Sequence, residues 1–230
     1  MTQPPPLAEH GEHTHRPELR DELERLRSGT LRLGEFVDRA IEKSMWGLTE
    51  RNVDLCTAVI EEDAEVNDLE RQLRELVFQT ILTQAPVASD LREIMGQLHM
   101  ASELERMADH CVSIAKIART LADLPPLEPA VDIPKMAQYC SDQVRDILAA
   151  VLARDVDRAR QVAARDDRVD RIYHRLFDEL VQTMTDHGDN VLRATNLVFI
   201  AHHLERIADR VTNIAEDLIF TEVGVIEDLG

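Results

Sequence analysis

Aromatic residues make up only 3% of the 230-residue chain, and glycines number 8. So few rings do not suit the aromatic-rich, tightly turned strands of a β-sandwich; they suit aliphatic packing between helices. Lys and Arg total 26 against 44 Asp and Glu, a net charge of -18. That deficit argues against nucleic acid, whose backbone is normally met by a basic face, and against broad adhesion to anionic lipid. The three cysteines, Cys56, Cys111 and Cys140, are odd in number, widely spaced and without a CxxC pair. They read as free thiols in a reducing compartment. No stretch approaches ~18 consecutive apolar residues, so no helix is expected to span a membrane. The opening "MTQPPPLAEHGEHTH" has neither a basic region nor an apolar run and does not read as a signal peptide. A cytoplasmic protein is the expectation.

The chain does hold a persistent helical period. Leu23, Leu26, Leu33, Phe36, Val37, Ala40, Ile41, Met45 and Leu48 recur at spacings of three and four. Met45 and its neighbour Trp46 are both expected in the core. Residues 1–16, rich in proline and histidine, are expected to be disordered. A break near "ERNVD" separates a first helix from a second running from about Leu55 to Leu82. Pro86 is expected in the first turn of a third helix that continues to about Leu121, because a missing N–H is harmless there. "DLPPLEPAVDIP", Asp123 to Pro134, is the one strong breaker. Beyond it three more helices are expected: about Pro134 to Ala153, Val156 to Asp186 and Asp189 to Phe220.

These six helices form a repeat. "RNVDLCTAVIEED" at Arg51 matches "RDVDRARQVAARD" at Arg154, and "LERMAD" at Leu104 matches "LERIAD" at Leu204. The offsets are about 103 and 100 residues, long enough for one multi-helix unit per copy. The expected fold is all-α: two tandem, pseudo-symmetric antiparallel three-helix bundles over residues 17–122 and 134–220. A proline-rich connection covers 123–133, and a tail follows from 221 to 230.

The last helix carries a polar stripe. With Glu205 at zero, Glu216, Asp209, His202 and Asn213 fall at about 20°, 40°, 60° and 80° round the helix. The apolar residues centre on the other side. A solvated helix face usually mixes signs to gain i,i+4 attraction. Here like charges crowd together, and a cation between them would offset their repulsion. Asp166 and Asp170 stand one turn apart on the preceding helix, as do Asp63 and Asn67 in the first copy. Oxygen donors favour Mg²⁺, Mn²⁺ or Fe, and Zn²⁺ if His202 joins. Other chemistries lack their signatures. GxxxxGK[ST], GxGxxG and Gly-x-Ser-x-Gly are all missing, and the one Glu-x-x-His, Glu12 to His15, lies in the tail.

"LERMADHCVSIA" and "LERIADRVTNIAE", with "QAPVASDLREI", "LRDELERLRSGTLRLGEFV" and the Asp-rich second helices, resemble the PhoU family, bacterial regulators of phosphate transport and signalling. The resemblance covers about Glu18 to Phe220. It implies two similar three-helix bundles with multinuclear metal sites on their surfaces. Glu105 and Asp109 would ligate in the first copy, and Glu205 and Asp209 in the second. Asp63, Asn67, Asp166 and Asp170 are their companions, and Asn213 matches the extended motif. The first copy departs from the family pattern at Ser102 and Ser113, and Lys116 replaces the Glu216 of the second copy.

The resemblance further implies a non-enzymatic adaptor between a phosphate ABC transporter and a membrane sensor histidine kinase, holding the starvation response off when phosphate is plentiful. A homodimer is a further expectation. Two other readings stay open: a helical protein of metal homeostasis, and a multinuclear metal phosphoesterase.

Overall fold

The computed structural model describes residues 17–127 and 132–230. The N-terminal tail and residues 128–131 of the connection lie outside the described residues. The described elements are helical: α1 (Pro17–Thr49), α2 (Val53–Gln84), α3 (Ala88–Leu121), α4 (Ile133–Ala153), α5 (Val156–Ala163), α6 (Asp166–Asp186), a 3-10 turn (Gly188–Asn190) and α7 (Val191–Val223).

On α1 the residues Leu19, Leu23, Leu26, Leu33, Val37, Ile41 and Met45 are all buried. Their spacing of three, four or seven residues draws one apolar stripe along 33 residues of helix. Trp46 is not in the core; it is 54% exposed. One step along a helix turns a side chain by about 100°, which carries Trp46 off the stripe that holds Met45.

The corner between the first and second helices is built identically in the two copies. Arg51 and Arg154 both adopt φ of 55°, a left-handed conformation that ends the preceding helix. The next residue caps the helix that follows. The Asn52 carboxamide accepts from the N–H groups of Asp54 and Leu55 at 3.0 and 3.2 Å. The Asp155 carboxylate accepts from the N–H of Arg158 at 2.9 Å. Such caps satisfy N–H groups that have no partner within the helix.

Two boundaries differ from the expectation. Pro86 precedes α3, which begins at Ala88; the chain turns at Ala85, left-handed with φ of 43°. The second helix of the second copy is interrupted at Ala164–Arg165, leaving α5 and α6. Arg165 and Arg168 there donate their N–H groups to carbonyls only three residues back, Val162 and Arg165. Asp166 and Asp167 follow at once. Adjacent acids are better placed in a first turn, facing the positive end of the helix dipole, than in a helix interior.

The third helices of the copies, α3 and α7, pack against one another. Gly96 lies against Thr221, His99 against Asp217, Glu103 against Arg210, and His110 against His203. Numbers rise on one helix as they fall on the other, so the pair is antiparallel. Shifting the His110–His203 contact by the repeat offset produces Glu103–Arg210, which is the relation an internal two-fold axis requires. Buried side chains of both copies join in one cluster. An ion-pair chain also crosses between them. Arg27 pairs with Glu93, Glu93 with Arg154 at 3.5 Å, and Arg154 with Glu222 at 2.7 Å.

Gly96 sets how closely α3 and α7 approach. A Cβ added there would lie 2.1 Å from the Thr221 hydroxyl, which is buried and donates to the Asp217 carbonyl at 2.8 Å. Gly96→Ala is expected to lower stability by about 1–3 kcal/mol, the usual range for overpacking a tight contact. Urea unfolding of the variant measures it, and an unchanged midpoint would contradict the close approach.

Candidate metal centre

Asp166 and Asp170 project from the first turns of α6, one turn apart, toward the Asp209 side chain of α7. Oxygen atoms from the three carboxylates all lie within 4.8 Å of one another, and each residue is half-buried. The break before α6 puts Asp166 in its first turn, and the repeated motif supplies Asp209 on the facing helix.

Crowding acids where water is partly excluded disfavours their charged forms. Burial, followed by repulsion from Asp170 and Asp209, pushes the Asp166 carboxyl up from 3.8 to about 6. Burial and Asp209 likewise raise Glu205, against the opposing pull of Arg206. Asp209 is raised by burial and Asp170, with Arg206 and Arg210 opposing. Arg206 is the local counter-ion: its guanidinium lies 3.2 Å from Glu205 and 2.8 Å from Asp209.

The donor set fits a cation. One oxygen of Asp166 is buried without a hydrogen-bond partner. A buried carboxylate oxygen left unpaired is costly, and a metal ion is one of the few partners able to satisfy it. Asp166, Asp170 and Asp209 would hold such an ion, with Glu205 beside them. Carboxylate oxygens suit Mg²⁺, Mn²⁺ or Fe. The ion would supply positive charge among groups that otherwise repel. His202 sits 3.6 Å from Glu205, and its ring is 6.2 Å from that of Tyr173.

The structure does not bring Asn213 and Glu216 to this cluster. The Asn213 carboxamide donates to Glu103 across the α3–α7 seam at 2.8 Å. Glu216 accepts from the N–H of Leu229, at 2.8 Å, where the C-terminal segment folds back along α7. Eleven residues of helix separate Glu216 from Glu205, about 16 Å along the axis. Angular alignment on a helical wheel carries no information about that distance.

In the first copy Asp63, Glu105 and Asp109 are electrostatic neighbours. Burial and Asp109 raise the Asp63 carboxyl, while Asn67 and Lys116 lower it. The Asn67 carboxamide donates to Asp63 at 2.9 Å, which already satisfies one of its oxygens. Glu105 is raised by burial, Asp109 and Glu70. Glu70 escaped the sequence reading, although it extends the spacing of Asp63 and Asn67 by another turn; Arg74 is its ion-pair partner. Arg206 was also missed, and its signal was equally local, one residue beyond Glu205.

The family model described as PhoU domain matches residues 30–118 and again 133–218. The chain is similar to the phosphate-specific transport system accessory protein PhoU homolog of Clostridium acetobutylicum, at 33% identity over 90% of this chain and 95% of that one. The homologue of the same name from Aquifex aeolicus is 36% identical over 80% of this chain and 84% of its own. A crystal structure of PhoU from Pseudomonas aeruginosa superposes with a TM-score of 0.86 at 30% identity, covering 90% of this chain and 100% of that chain.

The raised acids fix a pH dependence. The unfolded Asp166 titrates near 3.8 and the folded one near 6, so the folded state binds more protons between those values. Stability of the metal-free protein therefore falls as pH rises through that window. Asp166→Asn is expected to flatten the fall and to leave the chelator-treated protein more stable than wild type at pH 7. Thermal midpoints measured in chelator from pH 4 to 8 test this; a variant less stable than wild type at pH 7 would count against it.

Proposed function

The chain belongs to the PhoU family, and on that premise we propose that it restrains phosphate uptake and the phosphate-starvation response by linking a phosphate ABC transporter to a membrane sensor histidine kinase. It is not an enzyme: its relatives are named as an accessory protein of phosphate-specific transport. That name, shared across 90% of the chain, carries the reading.

The physical character of the surface supports it. Among the described residues no helix is long and apolar enough to cross a membrane. Large apolar side chains stand exposed on long helices, including Phe78, Leu82, Val87 and Leu91 near one hairpin and Phe177, Val181, Leu192 and Phe199 in the second copy. Apolar helix faces of this kind dock against partner helices or a second copy of the same chain. The protein holds the kinase off by binding its inactive state more tightly than its active one, because equal affinity for the two would shift nothing.

Metal binding is the second part of the proposal. The second-copy cluster at Asp166, Asp170 and Asp209 takes a divalent or transition ion more firmly than the first-copy acids Asp63, Glu105 and Asp109. Two observations support the ranking: the unpaired buried oxygen of Asp166, and the Asn67 and Lys116 groups that already stabilise Asp63. Carboxylate count tunes the affinity of an oxygen site.

Deleting the gene is expected to leave phosphate-responsive promoters active in high phosphate, read with a promoter fusion. Unchanged repression would overturn the regulatory reading. Tight binding of inorganic phosphate to the metal-free protein in calorimetry would instead make this protein the sensor. For the metal site, Asp209→Ala is expected to lose more bound metal than Asp109→Ala when both are purified without chelator and assayed by elemental analysis. Equal losses would refute the ranking.

A further inference from the structure

The α3–α7 seam has two positions exchanged by the internal two-fold, and the chain has filled them with different chemistry. At one, Arg210 pairs with Glu103 at 3.4 Å, and Asn213 donates to the same carboxylate. At the other, His110 and His203 face each other with their Nδ1 atoms 3.1 Å apart. Arg210 stands at the repeat position of His110, and Glu103 at that of His203. Thus an ion pair bonds the halves at one position, while two imidazoles share a single proton contact at the other.

We propose that His110 and His203 form a two-imidazole site for a borderline transition cation, Cu²⁺, Ni²⁺ or Zn²⁺, that ties one half of the molecule to the other. Metal–imidazole bonds are ~2.0–2.1 Å long, so two of them ending on nitrogens 3.1 Å apart subtend about 100° at the ion. That angle lies between the right angle of neighbouring square-planar or octahedral ligands and the tetrahedral angle. The nitrogens therefore stand at ligating separation, but the ring centroids are 5.3 Å apart, which leaves the two Nδ1 atoms aimed nearly at one another. Each ring must turn about its side-chain bonds to point its lone pair at the ion, while the helices stay in place.

In the metal-free protein one Nδ1–H donates to the other Nδ1. On binding, the donating ring carries its proton on Nε2 instead, which frees both Nδ1 lone pairs with no net proton released. Water completes the coordination. Two arginines are close, but each has its own counter-ion: Arg206 pairs with Glu205 and Asp209, and Arg210 with Glu103. Nitrogen donors select Cu²⁺, Ni²⁺ and Zn²⁺ over the Mg²⁺ or Mn²⁺ suited to the carboxylates of α6 and α7. The site is thus separate in donor atoms and in ion preference, and it stands or falls independently of the carboxylate cluster.

The test uses full-length chain in which His10, His13 and His15 are replaced by alanine, so that these other histidines do not compete. Electron paramagnetic resonance after one equivalent of Cu²⁺ is expected to show splitting from two nitrogen donors. His110→Ala and His203→Ala should each lose the two-nitrogen pattern while keeping the far-ultraviolet helix signal. If either alanine variant fails to fold, asparagine at that position replaces it. In parallel, Zn²⁺ should raise the thermal midpoint of the parent protein and have a smaller effect on His203→Ala, as binding to the folded state alone requires. An oxygen-only or single-nitrogen spectrum in the parent, or a two-nitrogen pattern that survives in the variants, would overturn the proposal.

Discussion

α3 and α7 pack antiparallel at the centre of the molecule, α3 covered further by α1 and α2 and α7 by α4, α5 and α6, and this packing removes an apolar stripe on each from water. Leu104, Met107, Cys111 and Ile114 on α3 are fully buried, and so, within 1%, are Leu204, Ile207, Val211 and Ile214 at the same repeat positions of α7. Burying a side chain of this size stabilises by roughly 1.5–3 kcal/mol. Small residues allow the helices to approach: Gly96 leaves no room for even one added carbon beside Thr221. Because both copies contribute to one continuous core, their relative placement is set by packing and not by the connection alone.

That placement has an electrostatic consequence. With the apolar stripe of α7 committed to the core, its acids are left on the flank that meets α6. The break at Ala164–Arg165 then puts Asp166 in a first turn beside Asp209, where burial and repulsion raise its affinity for protons. Arg206 relieves part of the repulsion. The cluster trades folded-state stability for a site that favours a positive charge.

The two copies share a frame and differ in what it carries. Both turn their first corner on a left-handed arginine and an Asn or Asp cap. Yet the first copy satisfies Asp63 from within, through Asn67, while the second leaves an Asp166 oxygen unpaired. The seam shows the same divergence, with an ion pair at one symmetry position and an imidazole pair at the other. One substitution, Asn67 against Asp170, accounts for the first difference and two, Glu103 against His203 and His110 against Arg210, for the second, because a helical repeat holds its backbone through the apolar positions and leaves the polar ones free to vary.

What the sequence determined by itself was whatever depends on neighbours within a helical turn or two. The aliphatic period marked the helices, the Arg-Asn and Arg-Asp corners marked their ends, and the doubled "LERMAD" and "LERIAD" marked both the repeat and the acids of the site. Trp46 misled because it adjoins a core residue in the chain and not on the helix surface. The family resemblance had already set Asp166 and Asp170 beside Asp209, and the packing of α6 on α7 brought their oxygens together. Only the tertiary structure sent Asn213 to Glu103 and Glu216 to Leu229, and brought His110 to His203 from 93 residues away. Such encounters depend on the crossing of helices distant in the chain and on position along their axes, and the angular period of a single helix encodes neither.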